Sequence, residues 1–215
     1  MKTLVKLSLT SKLEGIYSWS LAALETCPGS LGEDGELVDA CKSCYATDGF
    51  YRMQAAVSLR DYNREDWQRA EWVPDMVQAL QNERFFRWFD SGDMYSLKLA
   101  EKIYQTMKST PWVAHWLPTR MEKFSKFAAI IAKMRSLPNV SVRFSSDSIR
   151  GKFGPEHGSV IVPTLSHRPA GVKMCLAYTR GGRCGDCRLC YDPRVKTIAY
   201  PMHGRLGAKT LRETA

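Results

Sequence analysis

Seven cysteines are the residues of this 215-residue chain best suited to chemistry. They fall into two sets. Cys27, Cys41 and Cys44 stand in TCPG and CKSCYA near the start, and Cys175, Cys184, Cys187 and Cys190 stand near the end, the last three in CGDCRLC. An odd number of thiols in a chain without secretory features argues against a disulfide framework and for metal ligation. The tail set is complete, because four thiolates satisfy either zinc or an iron–sulfur cluster. Three cysteines in a CxxCxxC run resemble ferredoxin ligation more than the paired CxxC units of zinc knuckles, so a 4Fe–4S cluster is expected and zinc is the alternative. Gly181, Gly182 and Gly185 permit the tight turns such a run needs, and Arg180, Arg183 and Arg188 offset the negative charge. The first set is one ligand short. Three thiolates would leave an iron open to a substrate or cofactor, unless a ligand from elsewhere closes the site or one of the three is a plain buried thiol.

The elements that must position these residues follow from periodicity. A strand is expected at 16–24, running into the long cysteine-bearing loop. Helices are expected at 51–59 and 66–82, the second open to interruption at Pro74. Then strand, helix, strand, helix, strand follow at 84–89, 96–107, 112–117, 121–134 and 140–144, the pattern of parallel βαβ units. Short strands are expected at 159–162, 172–175 and 196–200. Five or six parallel strands with right-handed crossovers would curl into a partial, truncated βα barrel of TIM type, since a full one takes about 250 residues. The chain reads as one domain, with a βα core over 16–150 and a cysteine-rich part over 151–215 packed on it.

Parallel βα folds place functional groups at the carboxyl ends of strands. Those positions hold the first three cysteines, then Asp90, Ser91, Gly92 and Asp93, then Thr119 and Arg120, then Ser145, Ser146 and Asp147, and later Cys175. All seven cysteines are therefore expected at one end of the sheet. Asp90, Gly92, Asp93 and Ser145 are the candidate cofactor contacts. His115 lies within a strand and is expected to be a satisfied core histidine, while His157, His167 and His203 are scattered. Arg143 is expected to face inward as an ion pair with Asp90 or Asp93. Arg84 and Arg87 flank an aromatic run that could stack bases or fill a core. The chain carries no phosphate-binding glycine loop, Ser-His-Asp order or HExxH motif.

Composition excludes other classes. Apolar residues make up 44% and charged residues 25%, ordinary values for a globular domain and unlike disordered, collagenous or coiled-coil chains. No apolar run reaches the length of a membrane span. The opening segment is broken by Lys2, Lys6 and Lys12 and lacks a cleavage site, so a cytoplasmic location is expected. The net charge of +9 is uneven, +1 over residues 1–147 and +8 over 148–215. That basic third suits a nucleic-acid partner, or it compensates thiolates and an anionic cluster. Two function classes follow. One is an iron–sulfur enzyme or enzyme-like protein. The other is a metal-stabilised factor, holding zinc or iron–sulfur, that binds nucleic acid or a host protein.

A three-cysteine loop after the first strand, with Tyr45 beside the last cysteine, is similar to the radical S-adenosylmethionine superfamily. More narrowly, SWSLAALETCPGS, CKSCYA, RFFRWFDSGDM and CGDCRLCY resemble the phage-encoded gene product 88 family. The resemblance implies a truncated barrel with iron–sulfur ligation, a phage or prophage source, action in the host cytoplasm, and S-adenosylmethionine as a candidate cofactor.

Overall fold

The computed structural model describes residues 5–150 and 158–202. Its main sheet has five strands in sequence order: β1 Ser8–Leu9, β2 Tyr17–Trp19, β3 Phe85–Trp88, β4 Ala114–Thr119 and β5 Val140–Phe144. The β1–β2 pair is antiparallel and the others are parallel. Between β2 and β3 lie α1 Asp39–Lys42, α2 Gln54–Asp66 and α3 Trp72–Ala79. Helix α4, Leu97–Ser109, connects β3 to β4, and α5, Ala128–Arg135, connects β4 to β5. A second, three-stranded parallel sheet has the order β6 Ser159–Val162, β8 Ile198–Pro201, β7 Lys173–Met174.

Strand alternation divides the main sheet into two unlike faces. Trp19, Phe86, Trp88, Leu117, Val140 and Val142 point to the helices and form the core with Trp72, Met76, Leu99, Ile103 and Ile131. Trp19 meets Trp72 edge-on, 5.3 Å between ring centres. Each such fully buried ring contributes about 2–3 kcal/mol. His115 is on this side and is fully buried. The opposite face carries Ser20, Arg87, Trp116, Arg143 and Ser145, which line a cavity.

The mixed α/β class and the mostly parallel sheet follow the sequence pattern. The main sheet does not close into a TIM-type barrel. β5 and the second sheet share one parallel bridge, Phe144–Gly158, in place of a continuous ladder. Pro74 does not break its helix. It is the third residue of α3, where an amide hydrogen has no intrahelical acceptor to lose. Ser96 caps α4 by accepting from the Leu99 amide at 3.1 Å. The stretch expected as one helix from 121 begins as two short 3-10 turns, Met121–Lys123 and Ser125–Phe127, before α5.

Candidate cysteine-lined site

The first cysteine loop is stitched to the carboxyl ends of β2–β5. The Asp93 amide donates to the Thr26 carbonyl at 3.1 Å. Gly92 has a φ of +77°, and a Cβ there would lie 2.6 Å from Leu21 Cβ, so the turn after β3 tolerates only glycine. Gly29 passes so close beneath Arg120 that a Cβ would come within 2.5 Å of its Cβ. Lys123 Nζ donates to the Gly29 carbonyl at 2.9 Å and pairs with Asp147 at 2.5 Å, while Arg120 Nε holds the other Asp147 oxygen at 3.1 Å. The Ala40 amide donates to the Asp147 carbonyl at 2.9 Å, which seats α1 and Cys41.

Cys27, Cys41 and Cys44 are neighbours in this frame. Burial, then the charge of Asp93, pushes the Cys27 thiol up to about 12, and Cys41 and Cys44 add to the rise. Burial also raises Cys41, opposed by Arg120. Buried thiols of this kind become thiolates when a cation replaces their protons.

The tail cysteines are held differently. Cys175 follows β7, and its amide donates to Ala199 of β8 at 2.8 Å. The Cys184 amide donates to Lys12 at 2.9 Å, and the Gly185 amide donates to Glu14 Oε2 at 2.7 Å. Cys184 and Cys190 pack on Leu13, Ile16, Trp116 and Tyr191, with Phe85 and Ala114 alongside. Cys190 Sγ lies 3.1 Å from the Tyr200 hydroxyl. Burial pushes the Cys190 thiol up to about 11, and Cys175 and Cys184 raise it further. Burial raises Cys184 as well, with Cys175 and Cys187 adding to it.

Of the cysteines expected at one end of the sheet, six line one cavity and Cys187 lies apart from it. The first set lies beyond the carboxyl ends of the main strands. The CxxCxxC run packs on the Leu13–Ile16–Trp116–Tyr191 cluster, with Cys187 beside Phe85 and Ala114 at the starts of β3 and β4 and the Cys190 backbone held by Arg143 of β5. Arg143 is not paired with Asp90 or Asp93. Its guanidinium donates to the carbonyls of Cys190, Leu189, Asp192 and Val195 at 3.0, 3.0, 2.8 and 2.7 Å.

One cavity of about 840 Å³ runs between the sets and is lined by every cysteine except Cys187. Cys187 borders a neighbouring groove with Phe85 and Arg188. No three Cys, His, Asp or Glu side chains among the described residues converge on one metal position. Four thiols are a ligand set of the type that zinc and iron–sulfur centres use. Trp116 Nε1 and the Tyr191 hydroxyl are buried without a hydrogen-bond partner, and their rings are 5.8 Å apart beside Cys184 and Cys190. A group that bears acceptors would satisfy them. Metal-bound thiolates and cluster sulfides both carry such acceptors.

The four candidate cofactor contacts all line this cavity. Asp90 receives the Ser20 hydroxyl and, at 3.3 Å, the Tyr51 hydroxyl, and its carbonyl accepts from Tyr45 at 2.5 Å. Asp93 accepts from Thr119, the Met94 amide and the Arg120 amide at 2.7, 2.7 and 2.8 Å, which ties β3 to β4. Gly92 makes the close approach to Leu21 and Thr26, and the Ser145 amide donates to Thr119 at 2.8 Å. Periodicity read for core residues missed Arg87 and Trp116, although period-two alternation with Phe86 and Trp88 puts Arg87 on the other face.

Several described tail cations serve the tail itself. Arg188 lies 4.9 Å over the Phe85 ring and donates to the Gly185 and Cys187 carbonyls. Arg194 pairs with Asp192 at 2.9 Å. Lys152, Arg205, Lys209, Arg212, His157 and His203 lie outside the described residues. Among the described residues no helix is long and apolar enough to cross a membrane.

Fold and site together define an α/β protein with a mostly parallel sheet and a cavity flanked by two cysteine groups. A family model described as gene product 88 matches residues 2–193, and the chain belongs to that family. No curated protein and no solved structure matches it.

Proposed function

We propose that this phage-family protein binds iron–sulfur, with Cys175, Cys184, Cys187 and Cys190 holding a 4Fe–4S cluster and Cys27, Cys41 and Cys44 holding a second centre with an open ligand position. The observation that carries the reading is the packing of Cys184 and Cys190 on Trp116 and Tyr191, whose indole N–H and hydroxyl are buried with no hydrogen-bond partner among the described residues. Such clusters supply reversible one-electron transfer, and an open iron binds a small molecule. The chain's own residues do the positioning. Arg143 fixes the backbone on both sides of Cys190, Asp147 and Lys123 fix the first loop, and Trp116 and Tyr191 pack against Cys184 and Cys190. The two sheets, joined at Phe144–Gly158, make an open partial barrel around the cavity. S-adenosylmethionine is one molecule of the size such a cavity takes.

Visible absorption and electron paramagnetic resonance of anaerobically purified protein test this reading. Cys187→Ala should remove the tail signal, and Cys44→Ala should remove a separate one that responds to added S-adenosylmethionine. Spectra unchanged by both substitutions in folded protein would overturn it.

A further inference from the structure

Arg87 presents a half-buried cation to the cavity, and among the described residues it lacks a full set of partners. Strand β3 pairs it with Ser18 of β2 and Trp116 of β4, so it stands in the middle of the sheet's concave face. The guanidinium lies 4.6 Å over the Trp116 ring. Among the described residues its Nη2 reaches only the Tyr45 hydroxyl, at 3.5 Å, and its Nε is buried with no hydrogen-bond partner. The nearby carboxylate of Asp90 is occupied by Ser20 and Tyr51. Burial works against the charge on Arg87, and Tyr45 and Asp90 outweigh it, so the group stays a cation.

A guanidinium fork held over an aromatic ring can pair with the two oxygens of a carboxylate or phosphate. The cavity of about 840 Å³ falls within the range of roughly 300–1,000 Å³ typical of small-molecule sites. Trp116, Leu24 and Pro118 give its wall apolar surface beside Arg87, alongside the polar Asp90, Arg120 and Arg143. We infer that the cavity is a binding site for a small organic anion, whose carboxylate or phosphate sits on Arg87 and whose apolar or aromatic body lies along Trp116. The site is built by the sheet face and Tyr45 and does not depend on a cluster.

Matched pairs of probes test it by isothermal titration calorimetry on the full chain: benzoate against benzyl alcohol, and adenosine 5′-monophosphate against adenosine. Inorganic phosphate reports the anion without a body. At least one organic anion should bind wild-type protein about tenfold more tightly than its neutral partner, a difference of about 1.4 kcal/mol. Which pair responds distinguishes carboxylate from phosphate. Arg87→Met should abolish the preference and Arg87→Lys should keep part of it. Equal binding of charged and neutral partners, no binding of either anion at about 10 mM, or a preference that survives Arg87→Met would overturn the inference. The wild-type comparison stands even if a variant fails to fold. Iron and sulfide counted on the same samples separate the two readings: a metal-free chain that prefers anions fails only the cluster, and a metal-loaded chain indifferent to charge fails only this site.

Discussion

The Nε of Arg143 donates to the carbonyl of Cys190 at 3.0 Å, and the same guanidinium closes on three further carbonyls of the segment. A side chain on β5 thereby sets the backbone path of the cysteine tail. Arg143 is only 1% exposed. Burial lowers its pKa, with Tyr200 and Cys190 opposing that effect.

Replacing Arg143 leaves the Cys190 and Val195 carbonyls without their donor, while those of Leu189 and Asp192 keep the Asp192 and Val195 amides. Arg143→Met should destabilise the fold by on the order of 3 kcal/mol, because buried acceptors left unpaired keep their desolvation cost. Arg143→Lys should not restore it, since an ammonium cannot span four acceptors as a planar fork does. Urea unfolding measures both, and a loss below about 1 kcal/mol for Arg143→Met would contradict this role.

Gly29 and Gly92 set how closely the first cysteine loop approaches the sheet. Gly29→Ala must push its Cβ against that of Arg120, and Gly92→Ala must meet Leu21 while holding a left-handed φ. Each should cost about 1–3 kcal/mol, or a fall in Tm of about 2–4 °C per kcal/mol. Gly35→Ala is the control for a glycine in open space, although its φ is also positive, at +79°. It should cost less than either, because only backbone strain is added.

His115 makes stability depend on pH. Thr110 Oγ1 donates to the Thr106 carbonyl at 2.7 Å, so it accepts from His115 Nε2 at 2.9 Å, while His115 Nδ1 accepts from Trp88 Nε1 at 3.3 Å. That leaves the ring neutral with its proton on Nε2. Burial lowers its pKa to about 3. The folded value lies below the ordinary value of about 6.5, so the stability from this site is whole above that pH. It is lost at about 1.4 kcal/mol per pH unit as pH falls toward the folded pKa. His115→Gln keeps one acceptor and one donor and should flatten the stability profile between pH 6 and 4. Parallel profiles for the two proteins would contradict the assignment.

The sequence shows the run from β3 to β5 plainly, because its apolar positions alternate cleanly between periods of two and of 3.6. It shows the cysteines as two groups by spacing alone. It does not show β1, whose two residues are too short for a pattern, or the unclosed sheet, because closure depends on geometry beyond Phe144. The inward face of the main sheet is also hidden. Arg87 and Trp116 sit among aromatics that read as core, and only their pairing across β3 and β4 reveals a second, polar surface. Arg143 invites an acid partner in the sequence, whereas the fold brings it a loop of carbonyls.

Metal content is the most direct test of the central claim. Protein expressed and purified without oxygen should carry about four iron and four acid-labile sulfide per chain from the tail set. The count should rise toward about eight of each when Cys27, Cys41 and Cys44 hold a second cluster. Stoichiometric zinc without iron, or folded protein with neither metal, would contradict it.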